Sequence, residues 1–245
     1  MDEDLLYQAI FRRKSVRKFE SSPLDQETIA SITSRFSSLT PMLEGIRTEV
    51  ALMTSEQVHG LFKVDAPHFI AFFSEPKEGY LLNAGFMMQQ LDLFLSAKGL
   101  GSCWQGGPKP TKIARAASGL EFVVLMAFGK PAEKVHRESV SEFKRDPMSK
   151  ITSIKGMDDL LEPARIAPSG MNGQPWFFSD GNGMINAYCH KAVVGSHMNQ
   201  IGVGIALSHI WLAARHERRS AKLSISPGSG NGPRRYAYAA SLKLT

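Results

Sequence analysis

The sequence predicts an α+β fold made of two related halves fused in one chain. Two long, largely apolar helices, over 83–101 and 195–218, each follow strand-like segments and each precede an apolar strand. At one constant offset the helices superpose Gly85, Leu93, Leu95 and Ala97 on Gly202, Ile210, Leu212 and Ala214. Two buried helices can match by chance, but the repeated element order favours an internal duplication of about 120 residues.

The first half is predicted to contain two helices, two strands, the first long helix and a further strand. In order, these are a helix over 3–13, a helix that Asp25 starts, strands over 48–55 and 67–74, the helix over 83–101 and a strand over 121–133. The near-continuous apolar run of 67–74 indicates a strand that is buried on both faces. Gly99 and Gly101 are expected to end the long helix, and a Gly-rich loop is expected after them.

The second half repeats this order after a polar, basic connector over 144–156. It is predicted to contain a helix with its exit loop over 156–169, two strands within 175–190, the helix over 195–218 and a strand over 234–245. A Gly-Asn-Gly turn separates the two strands. We therefore divide the chain into a first half over 1–145 and a second half over 146–245.

The composition predicts a soluble cytoplasmic protein. Of the 245 residues, 43% are hydrophobic and 21% are charged, and two cysteines are too few for a disulfide framework. The acidic N-terminus lacks the order of a signal peptide, and no apolar run reaches the about 18 residues of a membrane span. The net charge is +6, but the basic residues are scattered and no nucleic-acid-binding motif accompanies them. We expect neither a nucleic-acid nor a membrane partner.

The segment RRKSVRKFE, residues 12–20, is the densest positive cluster in the sequence. It lies between a helix end and an extended segment, where alternate side chains point the same way. Arg13, Ser15 and Arg17 are therefore expected to converge on one dianion, because two guanidinium groups and a hydroxyl suit a terminal phosphate. The alternative is a solvated basic turn, which is what most charge runs are.

Two further segments expose backbone where a ligand can approach it. In GLGSCWQGG, Gly106 and Gly107 offer adjacent backbone N–H groups to an acceptor atom on a flat ligand. A plain helix C-cap and turn explains the first two glycines of this stretch better than it explains the last two. In ARIAPSGMNGQPWFF, Pro168, Ser169 and Asn172 are loop residues between a helix and a strand.

Together these segments resemble the FMN-dependent nitroreductase family. The resemblance rests on the run RKSVRKF at 13–19, on GLGSCWQGG with the later strand that ends in FGKPAE, and on Ala-Pro-Ser at 167–169 followed by Asn172 and Gln-Pro-Trp at 174–176. It touches both halves and accounts for most of the chain. It implies a nitroreductase-like fold with FMN as cofactor and NADH or NADPH as reductant.

The family is typically an obligate homodimer with two FMN sites at the subunit interface. The resemblance implies that one subunit supplies the Arg-x-Ser-x-Arg cluster for the phosphate and the Gly-rich loop that faces flavin N5. The partner subunit supplies the Pro-Ser-x-x-Asn loop, which lines the opposite wall of the flavin slot. The matching positions in this chain are Arg13, Ser15, Arg17, Gly106, Gly107, Pro168, Ser169 and Asn172.

The sequence departs from the family pattern in a complementary way. In the first half, the place of the Pro-Ser-x-x-Asn loop reads SSLTPMLEG, over 37–45, without the serine and asparagine pattern. The second half lacks the Arg-x-Ser-x-Arg cluster, and its long helix ends in ARHERRSAK instead of GLGSCWQGG. One composite site keeps every part, and the opposite site keeps none. We therefore expect a monomeric pseudo-dimer with one FMN per chain.

The resemblance implies an oxidoreductase in which the flavin carries the chemistry. Reduced nicotinamide would deliver hydride to flavin N5, and a small-molecule acceptor would then take its place in ping-pong order. The acceptor could be a nitroaromatic, a quinone, a free flavin or an activated alkene. The sequence contains no evident catalytic dyad and no metal-ligand spacing. Two alternatives stay open: a flavin-binding protein without turnover, for storage or sensing, and a binder of nucleic acid or an anionic surface that has lost FMN.

A few other residues receive smaller roles. Lys144 or Arg145 in the connector is expected to join the phosphate site, and Lys63 to reach the flavin pyrimidine. Trp176 is expected to be a core residue, as most tryptophans at a strand start are. Replacing Arg13 by alanine is expected to weaken FMN retention and to leave the fold intact.

Overall fold

Each of two four-stranded antiparallel sheets packs against one of two long central helices. The computed structural model describes residues 3–226 and 232–245. The helices are α1 (Glu3–Ile10), α2 (Gln26–Phe36), α3 (Tyr80–Ala97), α4 (Lys112–Ala116), α5 (Met148–Ile151), α6 (Asp158–Arg165) and α7 (Ser196–His216). The strands are β1 (Thr48–Thr54), β2 (Val58–His59), β3 (His68–Ser74), β4 (Gly101–Gln105), β5 (Lys109–Pro110), β6 (Glu121–Gly129), β7 (Trp176–Gly181), β8 (Met184–His190), β9 (Ala221–Ser224) and β10 (Tyr236–Leu244). In the described ranges, no helix has both the length and the apolar character needed to cross a membrane.

The two sheets have the same topology. The first has the strand order β1-β3-β6-β4 and the second the order β7-β8-β10-β9, and every neighbouring pair is antiparallel. In each sheet the long helix, α3 or α7, follows the second strand and leads into an edge strand. The strands β2 and β5 form a separate two-stranded ribbon. The predicted α+β fold with two related halves is therefore confirmed.

Several local predictions are confirmed in detail. Asp25 caps α2, because its Oδ1 accepts a hydrogen bond from the backbone N–H of Thr28 at 2.7 Å. Strand β3 is buried over nearly its whole length. The turn between β7 and β8 has positive φ at Asn182 (52°) and Gly183 (70°), as a type I′ hairpin requires. Trp176 is fully buried in the core.

The segment after the first long helix differs from the prediction. Gly99, with φ of 74°, ends α3, but Gly101 begins strand β4. The residues GSCWQ, predicted as part of a loop, pair with β6 on one side, and Ser15 bridges to Ser102 on the other. This Gly-rich stretch is a strand because it pairs with distant segments on both sides. Its local sequence gives no sign of a strand. Strand β9, at the same place in the second sheet, was likewise not predicted.

The connector between the halves has buried as well as exposed residues. It contains α5, and Ile151 and Ile154 in it are buried. Thr152 forms a parallel bridge with Phe178 of β7, and its Oγ1 donates a hydrogen bond to the Phe178 carbonyl at 3.0 Å. The connector therefore covers the β7 edge of the second sheet while it joins the two halves.

The two long helices cross where each carries a glycine. A Cβ at Gly85 would lie 2.1 Å from the carbonyl oxygen of Ile201, and a Cβ at Gly204 would lie 2.0 Å from that of Leu82. The contacts are reciprocal, so the crossing matches Gly85 with Gly204. The superposition made from the sequence, which matches Gly85 with Gly202, is therefore wrong by two residues at this point. Two helices that are apolar over most of their circumference offer no polar face that would fix the register.

A buried histidine lies on α7 close to the crossing. His209 is fully buried, with Nδ1 2.7 Å from the carbonyl oxygen of Pro163 and Nε2 3.0 Å from the side-chain nitrogen of Gln89. These contacts fit a neutral ring that donates from Nδ1 and accepts at Nε2. Burial, together with the charges of Arg13 and Arg145, lowers the pKa of His209 to about 3.

We expect His209 to make the protein less stable as the pH falls from about 6.5 towards 3. In that window the unfolded chain binds a proton at this position and the folded chain does not, which lowers the free energy of unfolding by up to about 1.4 kcal/mol per pH unit. Urea unfolding of wild type and His209→Gln between pH 6 and 4 tests this. The free energy of unfolding should fall less steeply with decreasing pH in the variant than in wild type. The exposed His59→Gln is the control and should keep the wild-type slope. Equal slopes for all three proteins would contradict the assignment.

Candidate functional site

Two continuous cavities lie between the halves. The first, called the slot below, has a volume of about 570 Å³ and is lined by the end of β4, the loop 168–171 and the N-terminal part of α7. The second, called the cationic pocket, has a volume of about 500 Å³. Its basic lining residues are Arg13, Lys14, Arg17, Arg137, Lys144 and Arg145. The two cavities share a wall and together form one elongated site.

All eight residues that the sequence predicts for the site line these two cavities. The residues in the slot alone are Gly106 and Gly107, those in the cationic pocket alone are Arg13 and Asn172, and those in both are Ser15, Arg17, Pro168 and Ser169. The fold thus brings together five residues of the first half and three residues of the second, although 61 to 159 positions separate them in the chain.

Arg13 lies deeper than the sequence suggests. It is only 1% exposed, and its Nε lies 3.0 Å from Oδ2 of Asp92, a fully buried residue on α3. Ser102 of β4 donates its hydroxyl to the other carboxylate oxygen of Asp92. The guanidinium also extends towards Ser15, with Nη2 3.3 Å from the hydroxyl oxygen. Arg13 is therefore one end of a buried ionic network as well as a wall of the cationic pocket.

The segment after Arg13 is extended, as predicted, and a carboxylate holds it in place. Glu133 accepts hydrogen bonds from the backbone N–H groups of Arg17 and Lys18 at 2.7 and 3.3 Å. These two contacts and the ion pair with Lys14 lower the pKa of Glu133. Glu133 therefore fixes the backbone here, while the side chain of Arg17 stays exposed at the junction of the two cavities.

Two arginines from the end of the first half complete the cationic pocket. Arg145, which the sequence suggests as a candidate, donates to the carbonyl of Ala167 at 3.2 Å and to the side-chain oxygen of Asn172. Burial lowers its pKa to about 10, and the positive charges of Arg13 and Arg137 act in the same direction. Arg137, which the sequence does not single out, donates to the backbone carbonyl of Arg13 and stacks over Phe143 at 4.1 Å. An anion in this pocket would relieve the mutual repulsion of these cations.

The loop that begins at Pro168 has an unfavourable backbone. Met171, Asn172 and Gln174 all have positive φ, at 50°, 59° and 41°. Non-glycine residues rarely adopt this conformation, which costs on the order of 1–3 kcal/mol each and occurs mainly where surrounding structure enforces it. The side-chain amide of Gln174 helps to hold the loop in this conformation. It accepts a hydrogen bond from the N–H of Asp146 at 2.7 Å and donates one to the carbonyl of Arg165 at 3.1 Å.

Asn172 has a different place from the one expected. Its side-chain nitrogen donates to the carbonyl of Lys144 at 2.7 Å, and its side-chain oxygen accepts from Arg145. The amide thus ties the loop to the connector at the cationic pocket and does not line the slot. Pro168 and Ser169 do line the slot, and the Ser169 hydroxyl accepts from the N–H of Gln174 at 3.0 Å.

Gly106 and Gly107 form a bend directly after β4, at the wall of the slot. A Cβ at Gly106 would lie 3.2 Å from the terminal methyl carbon of Met198, and one at Gly107 would lie 3.3 Å from the carbonyl oxygen of Leu61. The absence of side chains therefore leaves the backbone open to the slot. The neighbouring Trp104 also lines the slot, and its indole N–H is buried without a hydrogen-bond partner in the described part of the chain.

The contact predicted for Lys63 differs from its place in the structure. Lys63 does not line the slot, because its Nζ donates to the carbonyl and hydroxyl of Ser55 at 2.8 and 3.0 Å and to the carbonyl of Val58 at 3.1 Å. Cys103 lines the slot but is a buried free thiol whose pKa is raised by burial. Among the described residues, no group of three or more His, Cys, Asp or Glu side chains could hold a metal ion.

The cavity opposite the slot, at the start of α3, is smaller than the slot. Gly195 precedes α7 and Gly79 precedes α3, and both have left-handed backbones with φ of 75° and 79°. A Cβ at Gly195 would meet nothing within 4 Å, whereas one at Gly79 would lie 2.4 Å from Leu43 and 3.3 Å from Ile225. A smaller cavity of about 400 Å³ remains beside Gly79, and its described lining contains Glu78 but no arginine.

The sequence matches a known protein family over most of its length. Residues 5–214 match the family described as "Putative TM nitroreductase". No curated protein matches the sequence. The family match covers both cavities and both long helices.

Solved structures match all or part of this chain. A protein from Thermotoga maritima MSB8, described as a putative nitroreductase, is 22% identical with a TM-score of 0.65, and the match covers 98% of this chain and 92% of that one. A nitroreductase family protein from Clostridium difficile 630 is 15% identical with a TM-score of 0.47, over 62% of this chain and 98% of that one. A protein named FMN-dependent nitroreductase from Clostridium difficile R20291 is 16% identical with a TM-score of 0.41, over 60% and 92%. The full-length likeness to the Thermotoga protein confirms the predicted fold across both halves.

Proposed function

The chain belongs to the nitroreductase family, and on that premise we propose that it is an FMN-dependent oxidoreductase that uses NADH or NADPH and holds one FMN per chain. The observation that carries the proposal is that a largely apolar slot adjoins a pocket lined by four arginines, two lysines and two glutamates, and that the two cavities have five lining residues in common. A flat ring system with a phosphorylated side chain has this same division between an apolar and an anionic part.

The cationic pocket fits the phosphate end. Arg17 presents an exposed guanidinium group that can bind a phosphate in bidentate fashion, and Ser15 adds a hydroxyl donor. Arg145, whose guanidinium donates to protein oxygens, would add its positive charge. The lowered pKa of Arg145 reflects burial among like charges, which a dianion would offset. Arg13, which is already paired with Asp92, would contribute its remaining N–H groups from the pocket wall.

The slot fits the ring end. Gly106 and Gly107 line the slot, where their backbone N–H groups would donate to flavin N5 or O4. Pro168 and Ser169 form the facing wall. Preorganised donors of this kind favour electron density on the bound ring system.

The chemistry of the proposed reaction would come from the cofactor. FMN, when bound, would supply two-electron transfer between reduced nicotinamide and a small-molecule acceptor. The residues of the chain would bind and orient both partners and keep water out of the slot. The slot lining holds no carboxylate, and its ionisable groups are Arg17, His197 and the buried thiol of Cys103, so no acid–base pair is built there.

The packing supports a single site per chain. Leu43 and Ile225 occupy the space at Gly79 that is open at the equivalent Gly195. The cavity that remains there has no counterpart of the cationic pocket in the described residues. A chain of two halves with one complete site would act as a pseudo-dimer without needing a second copy.

Anaerobic reduction tests the proposed activity directly. Protein loaded with FMN should lose its yellow colour on addition of NADPH or NADH and regain it on addition of an acceptor such as a quinone. A yellow protein that neither nicotinamide reduces would support flavin binding without turnover. A colourless protein that takes up no FMN would refute the proposal and leave the basic cluster as an electrostatic patch.

We expect Arg17→Ala to separate phosphate binding from ring binding. Losing a charge-assisted hydrogen bond costs about 1.5–3 kcal/mol, so the Kd for FMN should rise about 10- to 100-fold. The Kd for riboflavin, which has the same ring system but no phosphate, should change little. Lys18→Ala is the matched control, because Lys18 is also exposed and lines neither cavity. An equal loss of affinity for both ligands, or no loss for FMN, would contradict the phosphate assignment.

A further inference from the structure

The mouth of the slot has an apolar rim. Seven large hydrophobic residues are strongly exposed in the described part of the chain, and five of them lie on three loops. These five, called the rim below, are Leu61, Phe62, Met171, Val193 and Val194, with exposures between 80% and 103%. Single exposed hydrophobic residues are ordinary, but a cluster from separate loops around one cavity indicates a binding surface.

The backbone of the rim is held in a conformation that its residues disfavour. Phe62 has φ of 60° and Met171 has φ of 50°. At both positions glycine would fit without steric strain, and a bulky side chain costs on the order of 1–3 kcal/mol. Stability alone therefore does not explain an exposed Phe and an exposed Met at these two positions, whereas contact with an apolar ligand would.

The rim continues the wall of the slot. Three residues of the rim, Phe62, Met171 and Val194, also line the slot. Met198 and Ile205 of α7 add further apolar lining to it. No Asp or Glu lines the slot, and its ionisable side chains are Arg17, His197 and the buried Cys103. A ligand that enters from the mouth thus passes over apolar surface without meeting a carboxylate.

We propose that the second substrate of the slot is amphipathic, with a flat, uncharged head that enters the slot and a hydrocarbon chain that lies on the rim. This inference rests on the proposed function, because the head group is the electron acceptor of that reaction. It adds that the enzyme distinguishes acceptors by the apolar portion beyond the ring. Each methylene that leaves water for the rim should strengthen binding, by about fourfold if fully buried and by about twofold if half buried.

A homologous series of acceptors tests the proposal. The probes are 2-methyl-1,4-naphthoquinones that carry methyl, butyl, hexyl or decyl at position 3, titrated by calorimetry into the oxidised, FMN-loaded protein. The Kd should fall with each added methylene until the chain extends past the rim. Phe62→Gly with Met171→Gly removes the apolar surface while relieving the backbone strain, so this double variant should fold and should show a nearly flat series. Ile113→Ala, which removes an equally exposed hydrophobic residue from α4, is the matched control and should keep the wild-type slope.

The outcomes separate this inference from the proposed function. A flat series in the wild type, or a slope that persists in the double variant, would overturn the role of the rim even if NADH or NADPH reduces the flavin. A flat series together with binding to phosphatidylcholine vesicles that the double variant loses would overturn it in favour of a lipid surface. A slope that the double variant abolishes would support it, and failure of nicotinamide to reduce the flavin would then refute only the oxidoreductase activity.

Discussion

Replacing Arg13 by alanine is expected to lower the free energy of unfolding by about 3–5 kcal/mol, because it leaves a buried carboxylate without its cation. Asp92 is fully buried on α3. Among the described residues, its partners are the guanidinium of Arg13 and the hydroxyl of Ser102, so Arg13→Ala leaves the carboxylate with the hydroxyl. The structure thereby changes the expectation from sequence that this substitution leaves the fold intact. Loss of FMN in this variant would not by itself identify a phosphate contact, which is why Arg17 is the better probe of the site.

Urea unfolding of the flavin-free protein measures this effect without a contribution from ligand binding. The matched control is the double substitution Arg13→Met with Asp92→Leu, which removes both charges and fills the space with apolar side chains. Such replacements of a buried ion pair are often neutral or stabilising, so the double variant should be closer to wild type than Arg13→Ala. Lys134→Ala removes a partner from the exposed pair with Glu138 and should have little effect. A loss below about 1 kcal/mol in Arg13→Ala would contradict the role of the buried pair.

Gly204→Ala is expected to destabilise the protein by about 3 kcal/mol, although alanine is the better helix former by about 1 kcal/mol. The new methyl group would lie 2.0 Å from the carbonyl oxygen of Leu82, and backbone cannot yield as a flexible side chain can. The helices α3 and α7 would have to move apart. Because Ile201 and Gly202 of α7 line the slot, the affinity for FMN should fall as well.

The control for this variant is Gly119→Ala. Gly119 does not have a left-handed backbone, and a Cβ there would meet nothing within 4 Å, so its stability should change by less than about 0.5 kcal/mol. Thermal unfolding of the two variants and wild type compares them under one condition. Equal stability of Gly204→Ala and Gly119→Ala would show that the helix crossing tolerates a larger separation than the structure indicates.

Features that are encoded locally could be predicted from the sequence. The cap at Asp25, the turn at Asn182 and Gly183, and the buried strand β3 all follow from short-range spacing and composition. The site residues could be named because each belongs to a short motif. The repeated order of helices and strands was also sufficient to predict two related halves, which the matching sheet topologies confirm.

Features that depend on distant partners could not be predicted. Asp92 lies on a largely apolar, buried helix, and its contact with Arg13, far away in sequence, explains its burial. Arg137 lies in an irregular segment without periodicity, so nothing in the sequence distinguishes it from other surface cations. The register of the helix crossing could not be predicted, because it is set by the close backbone contacts of Gly204 and Gly85. These contacts are visible only in three dimensions.

The number of flavins per chain tests the central claim most directly. FMN would be titrated into flavin-free protein, the unbound cofactor removed by gel filtration, and bound flavin measured by absorbance against a protein concentration from amino-acid analysis. The composite site, whose counterpart beside Gly79 is smaller and has no arginine in its described lining, predicts one FMN per chain. Two FMN molecules per chain would show that both halves retain a site, and none would show that the slot and the cationic pocket serve another ligand.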